Sequence, residues 1–131
     1  MIAGIGHDLT RCDRLGHAIQ RFGSHFLERF MSAREIHLYK AANESIEFAA
    51  GRWTAKEAFA KALGTGIGKQ CHFQEIEVLR ESDGRPYIVL SGTTKQATRE
   101  RNISSIHVSI THDSGLASAV VILETLEETS L

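Results

Sequence analysis

Residues 45–66 read SIEFAAGRWTAKEAFAKALGTG, and the fold turns on how this stretch is read. It is rich in alanine, lacks proline and closes on glycine, so a helix from about Ser45 to Leu63 with Gly64 as its stop is expected. At about 100° per residue, Phe48, Ala55, Phe59 and Ala62 gather on one side, the evident core face. Glu57 and Lys61 lie nearly opposite, one turn apart, with Trp53 beside them. By itself, a Glu followed four residues later by a Lys is an ordinary exposed pair, contributing about 0.3–0.5 kcal/mol. Two features argue for more. Ala49, Ala50, Gly51, Ala58 and Ala60 spread small side chains around the circumference, so more than one neighbour can approach closely. Trp53 beside the polar pair argues for partial burial, because so large a ring rarely points into open solvent. A half-buried carboxylate needs a partner, and a metal ion or a substrate can supply one.

The loop that follows, GTGIGK at residues 64–69, lacks the spacing of a Walker loop. Its backbone amides can still form an anion-binding nest, and Lys56, Lys61 and Lys69 would give that nest a positive rim.

Upstream, Ile2 to Leu9 alternates as a strand, with Ala3, Ile5, His7 and Leu9 on one face and Gly4, Gly6 and Asp8 on the other. Glycines inside a strand mark close approach by another backbone or a ligand, so Asp8 ends a bare face. Thr10 with Asp13 resembles a capping box for a helix ending near Gly23, whose buried stripe would be Leu15, Ile19, Phe22 and Phe26. A second helical piece carries Phe26, Leu27 and Phe30, and Ser32 with Glu35 repeats the capping signature. Downstream the period changes. HFQEIEVL and PYIVLS flank an Asp-Gly hairpin signal in RESDGR. TTKQATRERN reads as a short helix with a threonine cap. SSIHVSITH and LASAVVILE form a second hairpin across DSG, and the acidic tail after Glu124 reads as frayed. Strand, helices, hairpin, helix, hairpin is an α+β order with a mainly antiparallel sheet.

At 131 residues, with 42% hydrophobic and 24% charged residues, the chain suits a single soluble domain spanning 1–131. A formal net charge of −1 gives no general attraction to nucleic acid or membrane, so any electrostatic recognition is local. Cys12 and Cys71 form neither a CxxC nor a zinc spacing, which fits a reduced cytoplasmic protein. No signal peptide and no stretch of membrane-spanning length is read. His17, His25, His37 and His72 show no metal spacing, while His7 and His107 sit in strands as structural residues.

Three motifs in order, GIGHDLTRCDR (4–14), WTAKEAFAKALGTGIG (53–68) and VSITHDSGLASAVV (108–121), resemble the signatures of the holo-acyl-carrier-protein synthases. These are the small single-repeat class of 4′-phosphopantetheinyl transferases. The resemblance implies transfer of the phosphopantetheine arm of coenzyme A to a serine of apo acyl carrier protein, with release of 3′,5′-ADP, in fatty acid biosynthesis. It implies Mg²⁺ held by Asp8 and Glu57, and coenzyme A phosphate contacts from Lys61 and His112; the nest of Gly64, Thr65 and Gly66 with Lys56 on its rim adds candidate coenzyme A contacts. Asp8, Glu57, Lys61 and His112 then form the catalytic set. The hydroxyls of Ser109 and Thr111, on one strand face, can donate to phosphate oxygens beside His112. The serine proton would leave through a water on Glu57, or to Asp113. The resemblance also implies a homotrimer with active sites shared between subunits. Arg14 and Arg21, on one face of the first helix, match its carrier-docking arginines, whereas Ser24 stands where relatives often carry another. A polyketide or nonribosomal peptide carrier would use the same chemistry. A non-catalytic coenzyme A-binding module would not need Asp8 and Glu57 together, and a purely structural trimer would need neither.

Overall fold

The computed structural model describes residues 1–126; the end of the acidic tail expected to fray lies outside them. Five strands and five α-helices follow the expected order: β1 (Ile2–Arg11), α1 (Cys12–Phe22), α2 (Ser24–Phe30), α3 (Ala33–Ala41), α4 (Ile46–Leu63), β2 (Ile76–Arg80), β3 (Pro86–Leu90), α5 (Gly92–Glu100), β4 (Ile103–Asp113) and β5 (Leu116–Thr125). β1, β5 and β4 form one antiparallel sheet in that order, and β2 with β3 forms a second, two-stranded one. The α+β expectation with antiparallel pairing is met.

Helix α4 organises the molecule. Ser45 caps it by accepting from Phe48 N at 3.3 Å, and Gly64, left-handed at φ 88°, ends it. The expected single core face is an underestimate, because α4 is buried almost all round. Its C-terminal half packs Ala55, Phe59 and Ala62 against Val121 and Leu123 of β5 and Ile76 and Val78 of β2. Its N-terminal half packs Phe48, Ala49 and Ala50 into a second cluster with Leu15, Phe30, Met31 and Tyr39. Alanine and glycine around the circumference make this possible, since each lets a neighbour reach the helix backbone.

β1 exploits that most closely. A Cβ built on Gly4 would lie 2.0 Å from Ala62 O, and one on Gly6 would lie 1.8 Å from Ala58 O. The glycines admit the helix itself. Asp8 continues the same inward face, while Ile2, Ile5 and Leu9 stand 57–62% exposed on the outer one.

Several local expectations are corrected. Thr10 and Asp13 form no capping box: pairing with β5 runs on to Arg11↔Leu116, so Thr10 stays in the strand and donates to Asp8 Oδ2 at 3.3 Å. Asp13 instead faces Arg11 at 3.6 Å. Phe22 is 55% exposed, because Gly23 breaks the stripe between α1 and α2, and Arg21 covers its ring at 5.2 Å. The Ser32–Glu35 capping box is present in full.

Helix α5 takes its cap from a distance rather than from its own threonine. The Glu75 carboxylate accepts from Thr93 N (3.2 Å), Thr94 N (2.9 Å) and both hydroxyls. Those bonds hold its pKa below the ordinary carboxylate value, against the opposing effect of burial. A depressed folded pKa contributes stability that is present above the unfolded pKa and lost as pH falls through the folded one. Glu75→Gln is therefore expected to cost about 0.5–2 kcal/mol at pH 7, the range of a lost cap, and progressively less in acid. Urea midpoints at pH 7 and pH 3.5 check this, and a constant difference between the two would refute it.

Candidate functional site

The first two motifs meet where β1 crosses α4. Gly4 and Gly6 bring the backbones together, which carries Asp8 alongside the last turns of α4. Lys61 Nζ donates to Asp8 Oδ1 at 2.8 Å and to His7 O at 3.3 Å. The Asp8 side chain keeps only 16% of its exposure, while Lys61 keeps 53% and stays reachable from solvent. The intrahelical Glu57–Lys61 pair is thus not the principal contact of Lys61.

Glu57 is half-buried beside them. Burial raises its carboxyl above the ordinary range, and the Asp8 charge raises it further; Lys61 and Arg14 pull it back down. Lys61 is raised by its hydrogen bond to Asp8 and then by the Asp8 charge. Two carboxylates facing each other across a helix–strand contact, both oxygen donors, make a site that favours a hard cation. Among the described residues no group of three or more His, Cys, Asp or Glu gathers to hold a metal. A cation here would need oxygen ligands from a substrate as well.

Other expected site residues lie elsewhere. Lys56 is not on a positive rim. It is fully buried, with Nζ donating to Glu35 Oε1 at 2.6 Å, to Phe73 O at 3.0 Å and to Phe30 O. The glycine loop offers no nest through its first three residues: Gly64 N, Thr65 N and Gly66 N all donate to Ala60 O, closing the end of α4. Lys69 is exposed beyond it.

His112 is exposed near the end of β4, on the side of the sheet that meets α4, where its Nε2 donates to Glu47 O at 2.8 Å and lies close over Gly51. Gly51 is six residues before Glu57, roughly 9 Å along the helix. Ser109 and Thr111 point to the opposite, outer face of the sheet, so they do not flank His112 within one copy of the chain. Asp113 is the last residue of β4, accepting from Ser114 Oγ at 3.1 Å, and pairs with Leu116 rather than with the Asp8 level of the sheet. Arg14 and Arg21 are exposed on α1 as expected, with Arg14 near enough to Glu57 to lower its pKa.

One group was not singled out from sequence. Arg52 is 3% exposed, yet among the described residues its Nε and Nη2 have no hydrogen-bond partner, and its guanidinium stacks on Phe48 at 3.8 Å. Arg80 covers the same ring at 5.4 Å. Burial, then the Arg80 charge, pushes Arg52 down to about 10. Two buried guanidinium nitrogens without an acceptor among the described residues, beside a second arginine, favour an anion. Nothing in the residue pattern of α4 distinguishes Arg52 from a surface arginine; only the arrival of Phe48 and Arg80 does.

Residues 4–120 match the 4′-phosphopantetheinyl transferase superfamily profile. The chain belongs to that family. Within it, the holo-acyl-carrier-protein synthase of Sulfurimonas denitrificans is 44% identical over 120 residues, 92% of this chain and 93% of that one. The Bacillus subtilis synthase is 41% identical over 128 residues, covering 96% and 98%. Among solved structures, the Helicobacter pylori synthase in complex with coenzyme A superposes with a TM-score of 0.83 at 39% identity, covering 92% of this chain and 99% of that one. The Neisseria meningitidis synthase gives 0.90 at 30% identity, covering 95% and 100%. The chain is thus a phosphopantetheinyl transferase of the holo-acyl-carrier-protein synthase type, and the α+β architecture is that of the family.

Proposed function

We propose that this chain transfers the 4′-phosphopantetheine arm of coenzyme A to a serine of apo acyl carrier protein, using Asp8 and Glu57 to hold Mg²⁺. The observation that carries the reading is the convergence of Asp8, Glu57 and Lys61, from two separate motifs, at one β1–α4 contact. The serine oxygen forms a bond to the β-phosphorus of coenzyme A. The bond from that phosphorus to the bridging oxygen breaks, and 3′,5′-ADP leaves with the electron pair. Bound there, Mg²⁺ would polarise the pyrophosphate and offset charge on the leaving group. Lys61, exposed at its tip and anchored on Asp8, adds positive charge at the same place. Glu57 takes the serine proton through a water; its position beside Asp8 supports it over Asp113.

The position of His112, about 9 Å along α4 from Glu57, together with the unpartnered arginine Arg52, supports a site completed by a neighbouring copy. In a homotrimer of the family type, the apolar outer face carrying Ile5 and Leu9 would be covered, and Arg52, His112, Ser109 and Thr111 would serve a coenzyme A bound between copies. Mixing inactive Asp8→Ala and His112→Ala proteins under exchange conditions is then expected to restore part of the activity. A mixture as inactive as its components would reject shared sites.

The direct test is mass spectrometry of an apo acyl carrier protein incubated with this protein, coenzyme A and MgCl₂. The expected result is a phosphopantetheine mass gain, lost with EDTA and in Asp8→Ala or Glu57→Ala protein. No gain on fatty acid, polyketide or peptide synthase carriers, with coenzyme A binding intact, would leave a binding module instead. Among the described residues no helix is long and apolar enough to cross a membrane, which fits a cytoplasmic enzyme of fatty acid synthesis.

Docking is local and electrostatic in this reading. Arg14 and Arg21 present forks to an acidic carrier, and such contacts act chiefly on association rate and specificity. Arg14→Glu with Arg21→Glu is expected to raise the KM for carrier at least tenfold while the KM for coenzyme A stays within twofold, on the order of 1.4 kcal/mol or more. An unchanged carrier KM would refute docking on α1.

A further inference from the structure

Lys56 immediately precedes Glu57 and has no solvent exposure at all. Its ammonium has three hydrogens, and all three are used: on Glu35 Oε1, on Phe73 O and on Phe30 O. Those acceptors belong to three separate segments: the end of α2, the first turn of α3, and the turn before β2. Glu35, equally buried, is saturated in its own right. Its Oε1 also accepts from Ser32 N at 3.0 Å, and its Oε2 accepts from Val78 N at 2.9 Å. One ion pair therefore ties α2, α3, the turn before β2 and β2 itself to a single residue of α4.

Stability alone does not account for such an arrangement. Removing two charges from water costs several kcal/mol per ion, and apolar residues of similar volume usually serve a core as well or better. What the pair does supply is direction. An ammonium with three fixed acceptors admits one position, whereas a methionine or leucine in the same space could slide. α4 is gripped on one side by Gly4 and Gly6, whose backbone touches the Ala62 and Ala58 carbonyls, and on another by the seat of Lys56. Glu57 lies between the two grips.

We infer that Lys56, through its seat on Glu35, Phe30 and Phe73, is the positioning residue that fixes the rotation and height of α4 so that Glu57 meets Asp8. The inference rests on the reading that Asp8 and Glu57 hold the metal. Lys56 touches neither substrate nor cation. Its effect is expected in how well the two carboxylates bind together, because residues behind metal ligands commonly govern affinity by about 10–100-fold, and a misplacement of about 1 Å can cost about a hundredfold in rate.

The test combines Lys56→Met with Glu35→Gln in the full chain. The glutamine carbonyl can accept from Val78 N, and its amide can donate towards the carbonyls that Lys56 leaves, so both charges go without stranding a buried ion, at the loss of the bond that Oε1 accepts from Ser32 N. Trp53, the single tryptophan, lies tilted 4.8 Å from the Phe73 ring and meets the Phe30 ring edge-on at 5.3 Å, so its emission reports whether the seat keeps its shape. The expected result is a melting temperature and Trp53 emission close to wild type. Calorimetric titration of MgCl₂ in the presence of coenzyme A should show affinity at least tenfold weaker. The kcat should fall at least tenfold, with the KM for carrier unchanged. A folded double variant with wild-type Mg²⁺ affinity and kcat would overturn the inference. If the double variant does not fold, Lys56→Arg decides, because it keeps a charge beside Glu35 but not the three fixed contacts: weaker Mg²⁺ affinity in a folded protein supports positioning, wild-type affinity overturns it. Failure of both to fold would assign the network to stability alone. A wild-type chain that transfers phosphopantetheine without regard to Mg²⁺ would instead remove the metal assignment, a distinguishable outcome.

Discussion

Glu57→Gln is expected to lower kcat by about 10²–10⁴-fold, the usual contribution of a positioned proton acceptor, and to weaken Mg²⁺ as well. The amide keeps the size and one oxygen of the carboxylate but neither its charge nor its basicity. Both proposed tasks of Glu57 therefore fail together, whereas the fold does not depend on either. Glu57 is half-buried with its pKa raised by burial and by Asp8, so removing its charge relieves a repulsion, and the variant should melt at or above the wild-type temperature. That combination, a folded protein with little turnover, separates a site residue from a structural one. Adding MgCl₂ distinguishes the two tasks. If Glu57 only held the cation, excess Mg²⁺ would restore most of the rate; if it also receives the serine proton, saturating Mg²⁺ leaves the deficit in kcat. A Glu57→Gln protein that binds Mg²⁺ and turns over normally would remove Glu57 from both roles.

The parts of this chain legible in its sequence are those governed by local rules. The Ser45 cap and the Gly64 stop bound α4 to within a residue, because each is set by backbone geometry at its own position. The Ser32–Glu35 box and both hairpins were readable for the same reason. The Asp8–Glu57–Lys61 cluster was readable in a different way: the three residues lie in two motifs whose order matched a family, and Gly4 and Gly6 already signalled a close approach on the face of Asp8. What stayed hidden depends on which partner each donor or acceptor finds in the fold, near or far along the chain. Lys56 looks like a surface lysine next to Glu57 until Glu35 arrives from α3. Helix α5 looks threonine-capped until Glu75 reaches it from before β2. The glycine loop looks like a nest until its amides are seen turned onto Ala60 O. In each case the decisive atom lies 4 to 21 residues away along the chain.

Gly6→Ala is expected to be the most damaging single methyl group that can be added to the protein. The new Cβ would sit 1.8 Å from Ala58 O and 2.6 Å from Ala62 N, and both are backbone atoms in a helix buried almost all round. Neither can rotate away, so β1 or α4 must move as a unit. Moving β1 breaks its pairing with β5, where Gly6 lies opposite Val121. Moving α4 disturbs the Phe59, Val121 and Leu123 packing behind it. Overpacking of this kind costs about 1–3 kcal/mol, and more where the backbone is trapped. At about 2–8 °C per kcal/mol for domains near this size, a loss of roughly 10 °C or more is the expected result in a thermal melt. Gly16→Ala provides the control. Gly16 lies inside α1, and the nearest atom to its new Cβ would be an Ile46 methyl at 3.6 Å, an ordinary contact, so alanine there should stabilise by about 0.5–1 kcal/mol. Function should follow geometry as well as stability. Asp8 is two residues beyond Gly6 on the same face, so Gly6→Ala assayed well below its melting temperature should still have lost Mg²⁺ affinity, while Gly16→Ala keeps it. Equal melting temperatures for Gly6→Ala and the wild type would mean that the β1–α4 approach is looser than 1.8 Å implies, and with it the rigid placement of Asp8 against Glu57.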